Sequence, residues 1–440
     1  MTLAPLAVEP LRAPPDASIA VPGSKSFTNR GLVIAALASG TSTLEGALVA
    51  DDTAAMAAGL EQLGADIERH DGGTRLVVHG TGGALARGSI RVDARLSGTT
   101  SRFLLPVLAL GSGSYTLDGA APLRRRPMGP TVGALRAIGA GVDDGGEGPP
   151  GHLPLVVRGG TARGGAVSVP ADLSSQFVSG LLLAGPLLPE GLDLTMEGTP
   201  VSRPYLEMTV AAMSAFGAQV ERPDPARFVV GATGYGATTY VIEPDASAAS
   251  YFFAAAAMRG GRVTVDGLGS DSLQGDLRVV DVLAAMGAEV EVTPTSTTVR
   301  GTGRLRGVDV DLSDLPDMAQ TIAVVAAVAE GETRVRGVGL IRHHETDRIA
   351  AVVTELRRCG VGADETDDGF VVRPAPVRPA VIETYDDHRM AMSFALLGLV
   401  APGIKIADPG CVAKTFPGYF EVLDGLRSSA ASGASRVARR

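Results

Sequence analysis

The run VPGSKSFTNR, Val21 to Arg30, ends a strand, turns on Pro22 and Gly23, and opens an apolar helix that carries Lys25, Ser26 and Arg30. The first amide N–H groups of a helix have no intrahelical partner and stand at the positive end of its dipole. A lysine and a serine placed there complete an anion cradle. Taken by itself, Ser-x-x-Asn at this point reads first as an ordinary helix cap. Two features favour the cradle. Lys25, Lys405 and Lys414 are the three lysines of the 440 residues, and a lysine kept beside a serine where arginine is the default cation suits a need for a compact point charge. The cluster is also repeated.

A polar cluster, an apolar helix, a glycine, a short strand and a closing turn, acidic in most copies, recur roughly every seventy residues. The copies are SKSFTNRGLVIAALASGTSTLEG, GTTSRFLLPVLALGSGSYTLDG, SSQFVSGLLLAGPLLPEGLDLTMEG, SAASYFFAAAAMRGGRVTVDG, PDMAQTIAVVAAVAEGETRVRG and DHRMAMSFALLGLVAPGIKIADP. Each is followed by an amphipathic second helix, and the first five of these stop at Gly64, Gly139, Gly217, Gly287 and Gly360. Strands such as TRLVVHG, LPLVVRG, ARFVVGA and GFVVRP come next. The unit reads strand, helix, strand, helix, strand, strand.

A helix apolar on all sides belongs inside, and one with a charged face belongs nearer solvent, so helices lie within and strands without. Units packed in one orientation bring their helix N-termini together, where buried N–H groups call for an anionic partner. Pro22 and Pro244 close matching strands, in AVPGSKS and VIEPDASAAS. The expected domains are therefore residues 23–243, holding units one to three, and residues 1–22 plus 244–440, holding units four to six. A cleft that can close is expected between them.

The chain is 45% hydrophobic with a formal charge of -9, which gives ample core and argues against a nucleic-acid coat or a membrane-surface binder. Any anion must be caught by a local cluster. Two cysteines, Cys359 and Cys411, and an N-terminal segment without a leader pattern point to a reducing, cytoplasmic setting. No apolar run reaches the roughly 18 to 20 residues of a membrane helix. Residues from about 428, rich in Ala, Ser, Gly and Arg, read as a frayed tail. Neither HExxH nor a cysteine–histidine spacing supports a metal, despite His343 and His344.

Through VPGSKSFTNR, SGTTSRF, RRRPMG, SSQF, SRPY, DASAASYF, SLQGD, LPDMA, HETDRI, YDDHRMAM and AKTFP, the chain resembles the enolpyruvyl transferase family, and within it the 5-enolpyruvylshikimate-3-phosphate synthases. The resemblance covers nearly the whole chain. It implies an α/β fold of two inverse, inside-out α/β barrel domains, each of three βαβαββ units, six repeats in all. It also implies transfer of the enolpyruvyl group of phosphoenolpyruvate to the 5-hydroxyl of shikimate 3-phosphate, without metal or other cofactor, by a cytoplasmic monomer with no nucleic-acid or membrane partner. The hydroxyl adds to the central carbon while the methylene is protonated, and elimination of phosphate reverses the proton flow.

Carried over residue by residue, Lys25 resembles the catalytic lysine that touches both substrates. Ser26, Arg30, Ser174, Ser175, Gln176, Ser202 and Tyr205 match the shikimate 3-phosphate pocket; taken alone, such serines are helix caps. Gly98, Arg126, Gln176, Arg348, Arg389 and Lys414 match the phosphoenolpyruvate site. Arg124 and Arg125 read as solvated charges, and Arg102 follows Gly98 by one helical turn. Asp317 resembles the residue that takes the hydroxyl proton, and Glu345 the one that protonates the methylene. Each could instead favour a helix N-terminus, whereas a neighbouring phosphate would suit a carboxylate to donate. Asp387 and His388 are expected to orient Arg389, with a purely structural His388 as the alternative.

Five positions depart from common family forms. Leu96 and Ser97 precede Gly98 and Phe103 follows Arg102, at the subsite where glyphosate competes, and Leu340 replaces an asparagine. His344 stands where many members have lysine. Among shikimate 3-phosphate contacts, a histidine makes binding more pH-dependent than a lysine. Two other readings were weighed: a UDP-N-acetylglucosamine enolpyruvyl transferase, which commonly carries a reactive loop cysteine, and a noncatalytic repeat scaffold. Cys359 occupies an apolar slot before a helix-ending glycine and is expected to be buried and inert.

Overall fold

The computed structural model describes residues 4–427 apart from 147 and 200, so the tail expected from about 428 lies outside the described residues. The protein is mixed α/β. It divides into two compact units: Gly23–Glu243, and the segment up to Pro22 joined to the chain from Pro244 onward.

The apolar runs of the six copies are helices. Lys25–Leu37, Gly98–Leu108 and Ser175–Ala184 belong to the first unit, and Ala246–Arg259, Ala319–Ala326 and His388–Val400 to the other. Every residue from Phe27 to Leu37 and from His388 to Leu399 is buried. Within each unit its three apolar helices touch one another. Burial of this kind leaves the first N–H groups without water, and five of the six starts answer with a capping side chain. Ser24, Ser97, Ser174, Asp245 and Asp387 accept from Phe27, Thr100, Gln176, Ala248 and Arg389 N–H, each cap contributing about 1 kcal/mol. The sixth, Ala319–Ala326, has no capping side chain and follows a 3-10 turn, Pro316–Met318.

The second helices are Asp51–Gln62, Gly129–Ala137, Pro204–Ala215, Val279–Met286 and Arg348–Arg358. The glycines that follow them, Gly64, Gly139, Gly217, Gly287 and Gly360, all take positive φ, between 80° and 114°. A side chain is disfavoured there, which is why glycine ends these helices.

Each four-stranded sheet has one parallel pair and two antiparallel pairs. In the first unit the sheets run Ser89–Asp93, Ser114–Asp118, Leu155–Arg158, Gly141–Asp143; then Gly165–Pro170, Leu192–Glu197, Arg227–Val230, Val220–Asp224; then Thr239–Val241, Ser39–Glu45, Arg75–Thr81, Asp66–His70. The third sheet takes its first strand from the far end of the unit. The other unit mirrors this, since Asp16–Ser18 pairs in parallel with Arg262–Asp266, at the head of a sheet completed by Ser296–Arg300 and Glu289–Val292. Asp309–Asp311, Thr333–Arg336, Gly369–Arg373 and Gly362–Thr366 form its second sheet. Its last sheet has three strands: Ala380–Ile382 lies parallel to Ile404–Ile406, and Leu6–Val8 covers the latter's other edge antiparallel. Strands entering one unit thus complete sheets of the unit they leave.

Candidate functional site

In the unit Gly23–Glu243, Lys25 opens its helix with Nζ 3.4 Å from the buried Asp52. Arg30, one turn further, is wholly buried. Its guanidinium donates to Thr209 Oγ1 (2.8 Å), Ser179 Oγ (3.4 Å) and the carbonyls of Ser26 (3.0 Å) and Tyr205 (2.9 Å), and stacks on Phe103. All four acceptors are neutral, and no carboxylate pairs with Arg30 among the described residues. Burial therefore pushes its pKa down to about 10. A buried cation left without a counter-charge favours an anion close by.

The starts of the other two helices in this unit are stitched together. Arg102 donates to Gln176 Oε1 (2.8 Å) and Ser174 Oγ (3.3 Å), Gln176 Nε2 donates to Thr99 Oγ1 (3.3 Å), and Arg102 lies over the Phe177 ring. Ser174, Ser175 and Ser202 are buried, and Ser202 takes a left-handed φ of 54°. Tyr205 contributes its carbonyl, to Arg30. Arg124 is not simply solvated: its guanidinium grips Asp118 through two bonds of 2.9 and 2.6 Å.

Gly98 explains how Arg126 reaches this region. A Cβ on Gly98 would lie 2.7 Å from Arg126 Nη1 and 3.0 Å from Cζ, so the missing side chain is the room the guanidinium uses. The displaced atoms end a flexible side chain. Gly98→Ala should therefore leave the Tm within about 2 °C while raising by roughly tenfold the KM for any anionic substrate that contacts Arg126; steady-state kinetics beside a melting curve measure both.

In the other unit, the helices starting at Arg348 and His388 and the 3-10 turns Pro316–Met318 and Pro409–Lys414 bring three cations and three carboxylates together. Arg348 is 1% exposed. It donates to Asp387 (2.7 and 3.2 Å), Asp317 (2.9 Å) and Glu345 (2.9 Å). Burial alone would lower its pKa, but Asp387, Glu345 and Asp317 together hold it above the usual arginine range. Arg389 donates to the second oxygen of Asp317 (2.8 Å), to Ser247 Oγ (3.4 Å) and to Tyr251 Oη (3.5 Å). Lys414 Nζ donates to Glu345 Oε1 at 2.7 Å.

Neither carboxylate proposed for proton transfer caps a helix. Asp347, not Glu345, accepts from Ile349 and Ala350 N–H, and Asp317 gives both oxygens to arginines. Asp314, three residues earlier, lies instead 3.8 Å from Arg278. The Asp387 carboxylate caps the helix bearing Arg389, its Oδ1 accepting from Arg389 N–H at 2.9 Å, and it also accepts from Arg348. His344 Nδ1 lies 3.0 Å from Arg348 Nη1. Arginine can only donate, so Nδ1 is the acceptor in this contact.

Reading the sequence assigned no role to Asp52, Ser247 or Asp276. The last two stand in DASAASYF and SLQGD, whose acidic and hydroxyl residues were the available signal. Ser247 Oγ donates to Asp276, which is buried. Burial, then repulsion from Asp317, pushes Asp276 up to about 6, against the pull of Arg389. An acid raised in the folded state stabilises the fold fully below its unfolded pKa, about 3.9, and loses that contribution as pH rises through its folded value. Asp276→Asn cannot ionise. Its stability relative to wild type should grow between pH 4.5 and 7 by about 2–3 kcal/mol, followed by unfolding at each pH.

The strand-to-helix turn before Arg389 is held in an uncommon shape. Asp387 N–H donates to Thr384 carbonyl at 2.9 Å, while Tyr385 and Asp386 take φ of 57° and 55°. Two successive left-handed residues with side chains cost about 1–2 kcal/mol each. Cys359 is fully buried, and burial pushes its thiol, like that of Cys411, up to about 12, so neither is a ready nucleophile. No group of three or more His, Cys, Asp or Glu residues is placed to hold a metal among the described residues, and no described helix is long and apolar enough to cross a membrane.

The family described as EPSP synthase (3-phosphoshikimate 1-carboxyvinyltransferase) matches residues 12–423. A 3-phosphoshikimate 1-carboxyvinyltransferase from a Nostoc species is 45% identical over 416 residues, 94% of this chain and 97% of the relative. One from Methanoculleus marisnigri is 42% identical over 414 residues, again 94% and 97%. Among solved structures, an EPSP synthase from Acinetobacter baumannii superposes with a TM-score of 0.80 at 27% identity, over 96% of this chain and 98% of the other.

Proposed function

The chain belongs to the EPSP synthase family, and from that premise we infer how its own residues carry the family's reaction. That reaction is transfer of the enolpyruvyl group of phosphoenolpyruvate to the 5-hydroxyl of shikimate 3-phosphate, with release of phosphate, in aromatic amino acid biosynthesis.

The observation that carries the assignment of roles is the cluster in which Arg348, Arg389 and Lys414 share Asp317 and Glu345. Phosphoenolpyruvate brings a carboxylate and a phosphate, which can draw Lys414 and the arginines off their acidic partners. Asp317, so released, takes the proton of the 5-hydroxyl as its oxygen bonds to the central carbon. Glu345 delivers a proton to the methylene, having first taken one; Lys414 is the ammonium already in contact with it. In the second half the new methyl gives its proton back, the carbon–oxygen bond to phosphate breaks, and phosphate leaves with both electrons.

Shikimate 3-phosphate is assigned to Lys25, Ser26, Arg30, Ser174, Ser175, Gln176, Ser202 and Tyr205, with Asp317 and His344. The uncompensated guanidinium of Arg30 supports an anion on that side. Phosphoenolpyruvate is assigned to Lys25, Gly98, Arg126, Gln176, Arg348, Arg389 and Lys414, and glyphosate would compete there. Each unit is read as an inside-out α/β barrel of three repeats, βαβαββ except for the last repeat of the second unit, which lacks the final strand pair and has a three-stranded sheet; three mutually packed, buried helices per unit support the reading. A cytoplasmic monomer completes the proposal.

The test is phosphate release from phosphoenolpyruvate with shikimate 3-phosphate or UDP-N-acetylglucosamine as acceptor. Release with the first alone is expected. Release with the second alone would overturn the acceptor assignment.

A further inference from the structure

Two segments of the cluster are joined by more than the substrate-facing groups. Helix Arg348–Arg358 begins with the arginine that Asp387 clasps, and seven residues on, two turns along the same face, it carries Glu355. Glu355 is fully buried and faces segment 383–387. Its Oε1 accepts from Tyr385 Oη at 2.8 Å, its Oε2 from Glu383 N–H at 3.2 Å, and Arg358 Nε lies 3.4 Å away. The Arg348–Asp387 and Glu355–Tyr385 pairs are thus two rungs between one helix and one turn. Between the two turn residues lies Asp386, and both central residues of the turn are left-handed without being glycine.

Such a turn is favoured by Asn-Gly and disfavoured by Tyr-Asp. Something must hold it, and the second rung is placed to do so. We propose that Tyr385 and Glu355 are positioning residues: their hydroxyl–carboxylate bond holds the 384–387 turn, which sets Asp387, and through Asp387 both the guanidinium of Arg348 and the start of the helix bearing Arg389. Neither touches the reacting atoms. Burial, then the bond to Glu355, pushes the Tyr385 phenol up to about 12, so it remains a donor throughout the range in which activity is measured. The proposal rests on the reading that these arginines hold phosphoenolpyruvate.

Tyr385→Phe removes one oxygen from a half-exposed ring. It should raise the KM for phosphoenolpyruvate by roughly fivefold to tenfold and change the KM for shikimate 3-phosphate less than twofold. The rise in Tm produced by phosphoenolpyruvate should shrink in parallel. Asp386→Gly makes the left-handed turn less strained without the latch, so Tyr385→Phe/Asp386→Gly should recover much of the lost affinity. A merely structural bond would lower the Tm of the free protein and leave these constants unmoved, and that result overturns the proposal, as does a loss that glycine fails to relieve. If wild type released no phosphate yet showed the phosphoenolpyruvate-induced Tm rise, and Tyr385→Phe lost it, the acceptor assignment would fall and the latch would stand.

Discussion

Glu345→Gln should lower kcat by about 10²–10⁴-fold while the protein remains folded. The substitution keeps the shape of the side chain and one acceptor oxygen, and no helix cap is lost because Asp347 does that work. What disappears is the capacity to take a proton and hand it on. The amide also sets an NH₂ against either Lys414 or Arg348, so one of the bonds of 2.7 and 2.9 Å is given up. Steady-state rates at saturating substrate, beside circular dichroism, separate the chemical loss from any structural one. A rate within a factor of a few of wild type would remove Glu345 from the proton path.

Arg348→Met should be costly to the fold as well as to turnover. The methionine fills the volume but takes the guanidinium from Asp387 (0% exposed), while Asp317 keeps only Arg389 and Glu345 only Lys414. Removing one partner from a buried ionic cluster typically costs about 3–5 kcal/mol, because the remaining charge is uncompensated. The sign with pH follows. Arg348 stays charged across the accessible range, so the wild-type cluster keeps its cation, whereas the variant's carboxylates are relieved only by taking up protons. The stability gap should be widest near neutral pH and narrow on acidification, as denaturant titrations at pH 5 and 7.5 would reveal. An equal gap at both would mean that the carboxylates find other partners.

Much of this was legible in local patterns. The apolar runs form buried helices because burial on all sides leaves no polar face, and the five stop glycines take the φ that only glycine takes cheaply. The α/β character follows from the alternation of these helices with short strands. Pairings set by packing were not legible. Arg348 and Asp387 are 39 residues apart, Arg30 and Thr209 179 apart, and nothing near either partner names the other. Adjacency in sequence places Asp387 at Arg389, whose N–H its carboxylate accepts; only the packing of two helices adds Arg348 as a second partner. Arg124 likewise read as a solvated charge, since Asp118, its partner, sits at the end of a strand that also ends a repeat.

The exchanged first strands have a consequence for synthesis on the ribosome. The unit Gly23–Glu243 is one continuous stretch, and all its sheet partners have been translated once Thr239–Val241 emerges. Leu6–Val8 and Asp16–Ser18 are made first, yet Asp16–Ser18 must wait for Arg262–Asp266, and Leu6–Val8 waits longer still, for Ile404–Ile406. The later-finished half therefore cannot assemble until nearly the whole polypeptide has left the tunnel, and its two early strands spend translation as unpaired leader.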